Sequence, residues 1–406
     1  MEFIKNGGVT TPKGFLASGI HCGIRRNQAK KDLALITTET RCPAAAVYTT
    51  NLVKGAPIHI TKQNIRDGYA QAMICNSGNA NTCNADGEKK ALLTCQELAQ
   101  QLNISAEDII IASTGVIGQS LNINAIISGI PELIKQLRKE GSSDAAQAIM
   151  TTDTVKKEFA VQVSLNGKPI TIGGIAKGSG MIHPKMATML AFLTTDVAIA
   201  PDILQAALTK SVSDTYNMLS IDGDTSTNDM ASIMASGLAG NSIITNTNSS
   251  DFQLFTDALT ALNKQIVRSM ARDGEGATKM VECDVYGARD DMSAKKIALS
   301  VVSSSLVKAA MFGADANWGR ILCAIGYAGC EVDISKVNVD FQSKAGTISV
   351  CKNGAGIAFD EERAKKVLLD DEIMIKVTLS DGQCYAEAFG CDLTYDYVKI
   401  NGDYRT

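Results

Sequence analysis

The sequence predicts a mixed α/β chain, and three observations carry that reading. Short apolar runs at 72–75 and 109–112 each end in a polar, glycine-containing turn, NSGNAN and STGVIG. Between them Ala91, Cys95, Leu98 and Leu102 recur at helical spacing and form one apolar face. Asn166-Gly167, flanked by apolar stretches at 159–163 and 170–175, is the strongest short-range hairpin signal, because the favoured two-residue turn needs positive φ at both positions.

The later elements follow in order. Pro201 suits the first turn of a helix, where its missing N–H costs nothing, and 252–270 repeats a helical pattern. From about Lys296 strands are expected to return, at 337–341, 346–351 and 373–379. In the last of these Ile373, Ile375, Val377 and Leu379 alternate strictly before Asp381-Gly382. A soft boundary near residue 286 divides a main domain, 1–285, from a smaller one, 286–406.

A chain of 406 residues is more than one typical core accommodates. Its 45% hydrophobic and 20% charged residues are those of a folded globular protein. Thirty-nine Lys and Arg against 43 Asp and Glu, spread without blocks, give no footprint for nucleic acid or anionic lipid. Eleven cysteines without a Cys-x-x-Cys pair read neither as a disulfide framework nor as a zinc ribbon, so the cytoplasm is the expected compartment. The opening MEFIKNGGVTTPKGF has neither the apolar core of a secretory signal nor an Arg-rich transit character. No run of about 18 apolar residues occurs, so neither export nor a membrane span is expected.

Several catalytic patterns fail. Only His21, His59 and His183 are available as imidazole bases, and there is no Gly-x-Ser-x-Gly elbow. GGIAKGSG lacks the ending of a phosphate-binding loop, and GAGIAF lacks the third glycine of a dinucleotide fingerprint. The unusual stretch is 174–196, GIAKGSGMIHPKMATMLAFLTTD, a glycine-bracketed lysine followed by Met-Ala-Thr and an apolar strand. Its plain reading is a loop feeding a core strand. Its chemical reading concerns Thr188: if the bond before it is cut, the freed α-amine sits beside its own hydroxyl and can serve as the base. Such an arrangement needs no histidine.

KGSGMIHPKMATMLAFLTTD resembles the cleavage-site signature of the ornithine acetyltransferase (glutamate N-acetyltransferase) family of arginine biosynthesis, whose precursors cut themselves between Ala and Thr. CNSGNANTC at 75–83, ASTGVIG at 112–118, MTTDT at 150–154, IDGDTSTND at 221–229, ARDGEGATK at 271–279, GADANWGR at 313–320 and the tail INGDYRT extend the resemblance over essentially the whole chain. One residue departs from the pattern: Lys185 follows Pro184 where asparagine is often expected.

The resemblance implies cleavage at Ala187-Thr188 into an α chain, 1–187, and a β chain, 188–406, with Thr188 as both new N-terminus and nucleophile. Thr114 and Gly115 match the family's oxyanion hole, with a plain turn as the alternative. Lys177 matches a substrate-binding lysine. Glu275 matches an acidic residue that would hold the ornithine side-chain ammonium or orient the Thr188 amine. Thr151, or a threonine beside it in MTTDT, would contact substrate, as would Asn401 and Thr406 near the C-terminus. The implied fold is a layered α/β/β/α sandwich of the ArgJ/DmpA type with a smaller C-terminal α/β domain. The implied reaction is transfer of acetyl from N2-acetylornithine to glutamate through an acetyl-Thr188 ester, in an α2β2 heterotetramer.

No cofactor is implied, although acetyl-CoA is a second acetyl donor in some members. His183 reads as a residue of the loop or of cleavage. Asp222 and Asp224 resemble a cation loop, but Asp-Gly-Asp is a common turn composition and no metal is assigned. Two other readings stand beside this one: a self-processing amidase or aminopeptidase in which water resolves the acyl-enzyme, and a non-enzymatic amino-acid-binding protein.

Overall fold

The Asn166-Gly167 turn is formed as the sequence predicts. In the computed structural model, which describes residues 1–183 and 189–403, Asn166 has φ 49° and Gly167 φ 79°. The turn joins the antiparallel strands Lys157–Leu165 and Lys168–Lys177, with Leu165 opposite Lys168. From this hairpin the sheet continues through Leu190–Thr195 and Met230–Ala235 to the 16-residue strand Leu33–Tyr48, then to Tyr69–Asn76 and Ile109–Ser113. Glu2–Phe3 adds the edge beside Lys157–Leu165, and Phe15–Ile20 pairs with the long strand, giving nine strands.

Leu33–Tyr48 belongs to both halves of this sheet. Residues 44–48 pair with Met230–Ala235, whereas 33–38 pair with Phe15–Ile20 and 33–37 also with Tyr69–Asn76, with a register shift between Thr37 and Cys42. The two halves fold over one another, as side-chain alternation shows. Ala34, Ile36, Met73, Cys75, Ile110 and Ala112 of one half share a core with Ile175, Leu190, Phe192, Met230 and Met234 of the other. The opposite faces carry helices. Leu33, Leu35, Ile74, Ile109 and Ile111 pack with the helices Gly87–Leu102 and Ile123–Lys135. Ile172, Ala191, Leu193 and Ile233 pack with Pro201–Asp214 and Ser250–Arg272. The result is four layers, α/β/β/α. Strands with apolar residues on both faces read as unbroken apolar runs rather than alternating ones.

The second sheet has seven strands in the order Ala355–Gly356, Gly346–Lys352, Asn338–Ser343, Glu372–Thr378, Met280–Ala288, Cys384–Cys391 and Leu219–Ser220. Ile373, Ile375, Val377 and Leu379 all enter its core. The expected return of strands at Lys296 is corrected: Asp291–Ser303, Ser305–Phe312 and Trp318–Gly326 are helices covering this sheet. Residue 286 falls inside Met280–Ala288, a strand wholly within the second sheet, which also takes its edge strand Leu219–Ser220 from far upstream. No helix among the described residues is long and apolar enough to cross a membrane.

Candidate active site

Strand ends and the turns after them meet in a small cleft of about 90 Å3, lined by Ala80, Thr114, Gly115, Ile117, Thr151, Thr152, Lys177, Gly180, Met181, Ser226, Thr227, Asn228, Glu275 and Asn401. Six of the residues expected from the sequence, Thr114, Gly115, Thr151, Lys177, Glu275 and Asn401, are thus brought to one place from five separate stretches of chain. Ala187, Thr188 and Thr406 lie outside the described residues.

Thr114 and Gly115 directly follow the buried strand Ile109–Ser113. Gly115 has φ 131°, and a Cβ there would lie 2.4 Å from the Gly78 carbonyl carbon and 2.5 Å from Asn79 N. Only glycine allows the two turns to touch backbone to backbone. Asn228 fastens the same turns, donating from Nδ2 to Ala80 O at 2.6 Å and to Ser113 O at 3.0 Å. Its Oδ1 accepts from the Thr82 and Thr227 hydroxyls at 2.5 and 2.6 Å.

Lys177 ends its strand inside the protein at 2% exposure. Burial lowers its pKa, against the opposing charges of Asp153, Asp229 and Glu275. Among the described residues no carboxylate lies within ion-pair distance of its Nζ, although fourteen other lysine and arginine side chains have such a partner. A cation in that position is suited to a carboxylate brought by a ligand.

The segments around it are set by a second, fully paired lysine. Lys157 Nζ, 0% exposed, contacts Asp153 Oδ1 at 2.7 Å and Asp273 Oδ2 at 2.6 Å. Asp153 also accepts from Thr151 N at 3.0 Å and Gly178 N at 2.8 Å, and Asp273 accepts from the Thr154 N–H and hydroxyl. One buried cation therefore fixes the turn carrying Thr151, the backbone just after Lys177 and the turn that leads to Glu275. Burial alone would raise the Asp153 pKa, but the Lys157 and Lys177 charges and the Gly178 N–H outweigh it and hold it at about 2.

Glu275 N donates to Ser179 O at 2.8 Å. Its carboxyl lies against Gly180, where a Cβ would come within 2.3 Å of Glu275 Cδ. Asn401 Nδ2 donates to Glu275 Oε2 at 2.8 Å from the helix Tyr395–Asp403. The chain up to Asp403 is therefore a docked helix rather than a frayed end.

His183 does not line the cleft; its Nδ1 meets Ser220 Oγ at 3.0 Å. Asp222 is no open cation loop: its carboxylate accepts from the N–H groups of Met181, Ile182 and Asp224. Glu282, Asp284 and Glu387 bring carboxylate oxygens within 4.8 Å of one another on the second sheet. Arg268 and Lys264 already pair with Glu282 and Glu387, and none of the three lines the cleft. Sequence reasoning missed Asp153, Asn228 and Asp229. All three lie inside quoted motifs, MTTDT and IDGDTSTND, where the run of polar residues was the signal to follow.

Comparison with known proteins gives one answer along the chain. A family model described as ArgJ family matches residues 16–406. The arginine biosynthesis bifunctional protein ArgJ 1 of Clostridium acetobutylicum is 48% identical over 407 residues, covering 100% of this chain and 99% of that protein. The ArgJ protein of Caldanaerobacter subterraneus subsp. tengcongensis is 48% identical, covering 99% and 100%. A crystal structure of the bifunctional ArgJ protein from Bacillus halodurans is 45% identical, with a TM-score of 0.50, and matches 52% of this chain and 98% of the solved one. With near-complete coverage in both directions, the chain belongs to the ArgJ family.

Proposed function

We propose that this protein cuts itself between Ala187 and Thr188 and then transfers acetyl from N2-acetyl-L-ornithine to L-glutamate, giving L-ornithine and N-acetyl-L-glutamate. The observation that carries the reading is the convergence of Thr114, Gly115, Thr151, Lys177, Glu275 and Asn401 on one cleft, in a chain whose relatives bear the name arginine biosynthesis bifunctional protein. The solved Bacillus halodurans chain corresponds to 52% of this one, close to the share that residues 188–406 would make as a separate piece.

In the first half-reaction the Thr188 hydroxyl oxygen attacks the acetyl carbonyl while the Thr188 α-amine takes the hydroxyl proton. Negative charge collects on the carbonyl oxygen, where the Thr114 hydroxyl and the Gly115 N–H would donate to it. The C–N bond then breaks, the ornithine amine leaves with the proton held by the Thr188 ammonium, and acetyl remains as an ester on Thr188. The glutamate α-amine reverses these steps and removes the acetyl group. Lys177 would pair with the α-carboxylate common to both amino acids, and Glu275 with the ornithine side-chain ammonium. The assembly we propose is an α2β2 heterotetramer in the cytoplasm, with no cofactor.

Steady-state kinetics test the shared intermediate. Varying acetylornithine at several fixed glutamate concentrations should give parallel double-reciprocal lines, and without glutamate one acetyl group should stay on the 188–406 piece. Intersecting lines would mean direct transfer in a ternary complex. Thr114→Ala should lower kcat about 100-fold, the effect of losing one oxyanion donor worth about 3 kcal/mol; an unchanged kcat would remove Thr114 from that role. Acetyl-CoA as a second donor fits the word bifunctional in the relatives' names, and release of CoA with glutamate as acceptor is its test.

A further inference from the structure

The nine residues 221–229 grip the chain on both sides of the Ala187-Thr188 junction. Upstream, Asp222 Oδ2 accepts from Met181 N at 2.6 Å and Asp222 Oδ1 from Ile182 N at 2.9 Å. Ile221 N donates to Ile182 O at 2.7 Å. Downstream, Asp229 Oδ1 accepts from Met189 N at 2.9 Å, and Met230 N donates to Met189 O at 3.2 Å. Six residues separate Ile182 from Met189, so both flanks of a short segment are anchored to one continuous stretch.

The two carboxylates differ in what remains available. Asp222 is half-buried, with both oxygens engaged by backbone N–H groups. Asp229 is 1% exposed, and its second oxygen, Oδ2, is buried with no hydrogen-bond partner among the described residues. The nearby Thr49 hydroxyl donates to Ser226 O at 2.8 Å instead. A buried carboxylate oxygen without a donor is costly unless some group comes to it. Met189 N is bonded to residue 188, so the amine that cleavage would free is one residue away from the N–H that Asp229 already holds. A carboxylate can accept from two successive chain nitrogens at once. Burial also pushes the Asp229 carboxyl well above the ordinary range, against the Met189 N–H and the Lys177 charge.

We propose that Asp222 and Asp229 are positioning residues for self-cleavage, holding the junction from its two sides, and that Asp229 Oδ2 then receives the freed Thr188 amine and orients it as the base for acetyl transfer. This rests on the Thr188 chemistry proposed above. It assigns Glu275, which lines the cleft, to the substrate.

The test follows cleavage of the full chain by intact mass, together with Tm and turnover. Asp222→Ala and Asp229→Ala should each slow cleavage at least tenfold while Tm stays within a few degrees. Asp229→Asn keeps an acceptor oxygen for Met189 N but presents an amide NH2 in place of the second one. It should therefore cut within about threefold of the natural rate, yet lose at least 100-fold in kcat with KM for acetylornithine changed less than about threefold. Asp229→Glu, which keeps the carboxylate, should recover part of that kcat. Cleavage at the natural rate in both alanine variants would overturn the two-sided grip. Asp229→Asn that stays uncut, or that is cut and keeps its kcat, would overturn the split of roles. If the unaltered protein itself remains one chain and takes no acetyl group, the reading of Thr188 fails instead, so the two failures are distinguishable.

Discussion

Thr188→Ala is expected to yield a single 406-residue chain with acetyl transfer reduced by at least about 10⁴-fold. Both reactions draw on the same oxygen, and alanine has none. The few remaining contacts of the cleft would orient acetylornithine without a nucleophile to receive its acetyl group. Thr188→Ser supplies the control, because it restores the hydroxyl and should both cut and transfer at reduced rates. Intact mass after purification reads the first effect, and ornithine release in the presence of glutamate reads the second. An alanine variant that still cuts itself at the same bond would show that the hydroxyl of residue 188 is not the attacking group.

Lys157→Met should have the largest effect on stability. It leaves Asp153 and Asp273 buried side by side without their shared cation, and breaking one partner of a buried ion network typically costs about 3–5 kcal/mol. A fall in Tm on the order of 10 °C follows. The acid limb of the stability curve should move as well. In the intact protein the Asp153 pKa is held at about 2, below its ordinary 3.8. A depressed carboxyl contributes stability that is present above about pH 4 and is lost as pH falls toward 2. Without the Lys157 charge, burial dominates and raises that pKa, so the sign of the Asp153 contribution reverses: protonation relieves the unpaired buried charge, and the stability deficit of the variant relative to the natural protein should be largest near pH 7 and shrink as pH falls toward 4. Thermal melts at pH 7, 5 and 4 check both parts. A Lys157→Met variant with an unchanged Tm and an unchanged acid limb would show that the pairing carries little of the stability of these turns.

What local sequence determines here is whatever one segment can settle alone. The Asn166-Gly167 hairpin, the proline-started helix at Pro201–Asp214, the long helix Ser250–Arg272 and the alternating strand Glu372–Thr378 each announce themselves, because their turn chemistry or periodicity is complete within a few residues. The family motifs likewise pointed to six residues that the fold brings to one cleft. Leu33–Tyr48 did not announce itself: it carries TTETR and Pro43 in mid-strand, and its length makes sense only because it serves two sheet halves that pack face to face. The helices after residue 290 were hidden for a related reason, since a short apolar stretch reads alike as strand or buried helix until its partners are known. Only the tertiary structure could show that Lys157 and Lys177, both buried lysines at the same end of neighbouring antiparallel strands, have opposite situations: one is paired with two carboxylates and the other has none within ion-pair distance among the described residues. The same holds for Asp222 and Asp229, two acids of one motif that hold N–H groups on the two sides of residues 187 and 188. Charge and burial at a residue are set by what other segments bring beside it, and that is information the chain carries only once it is folded.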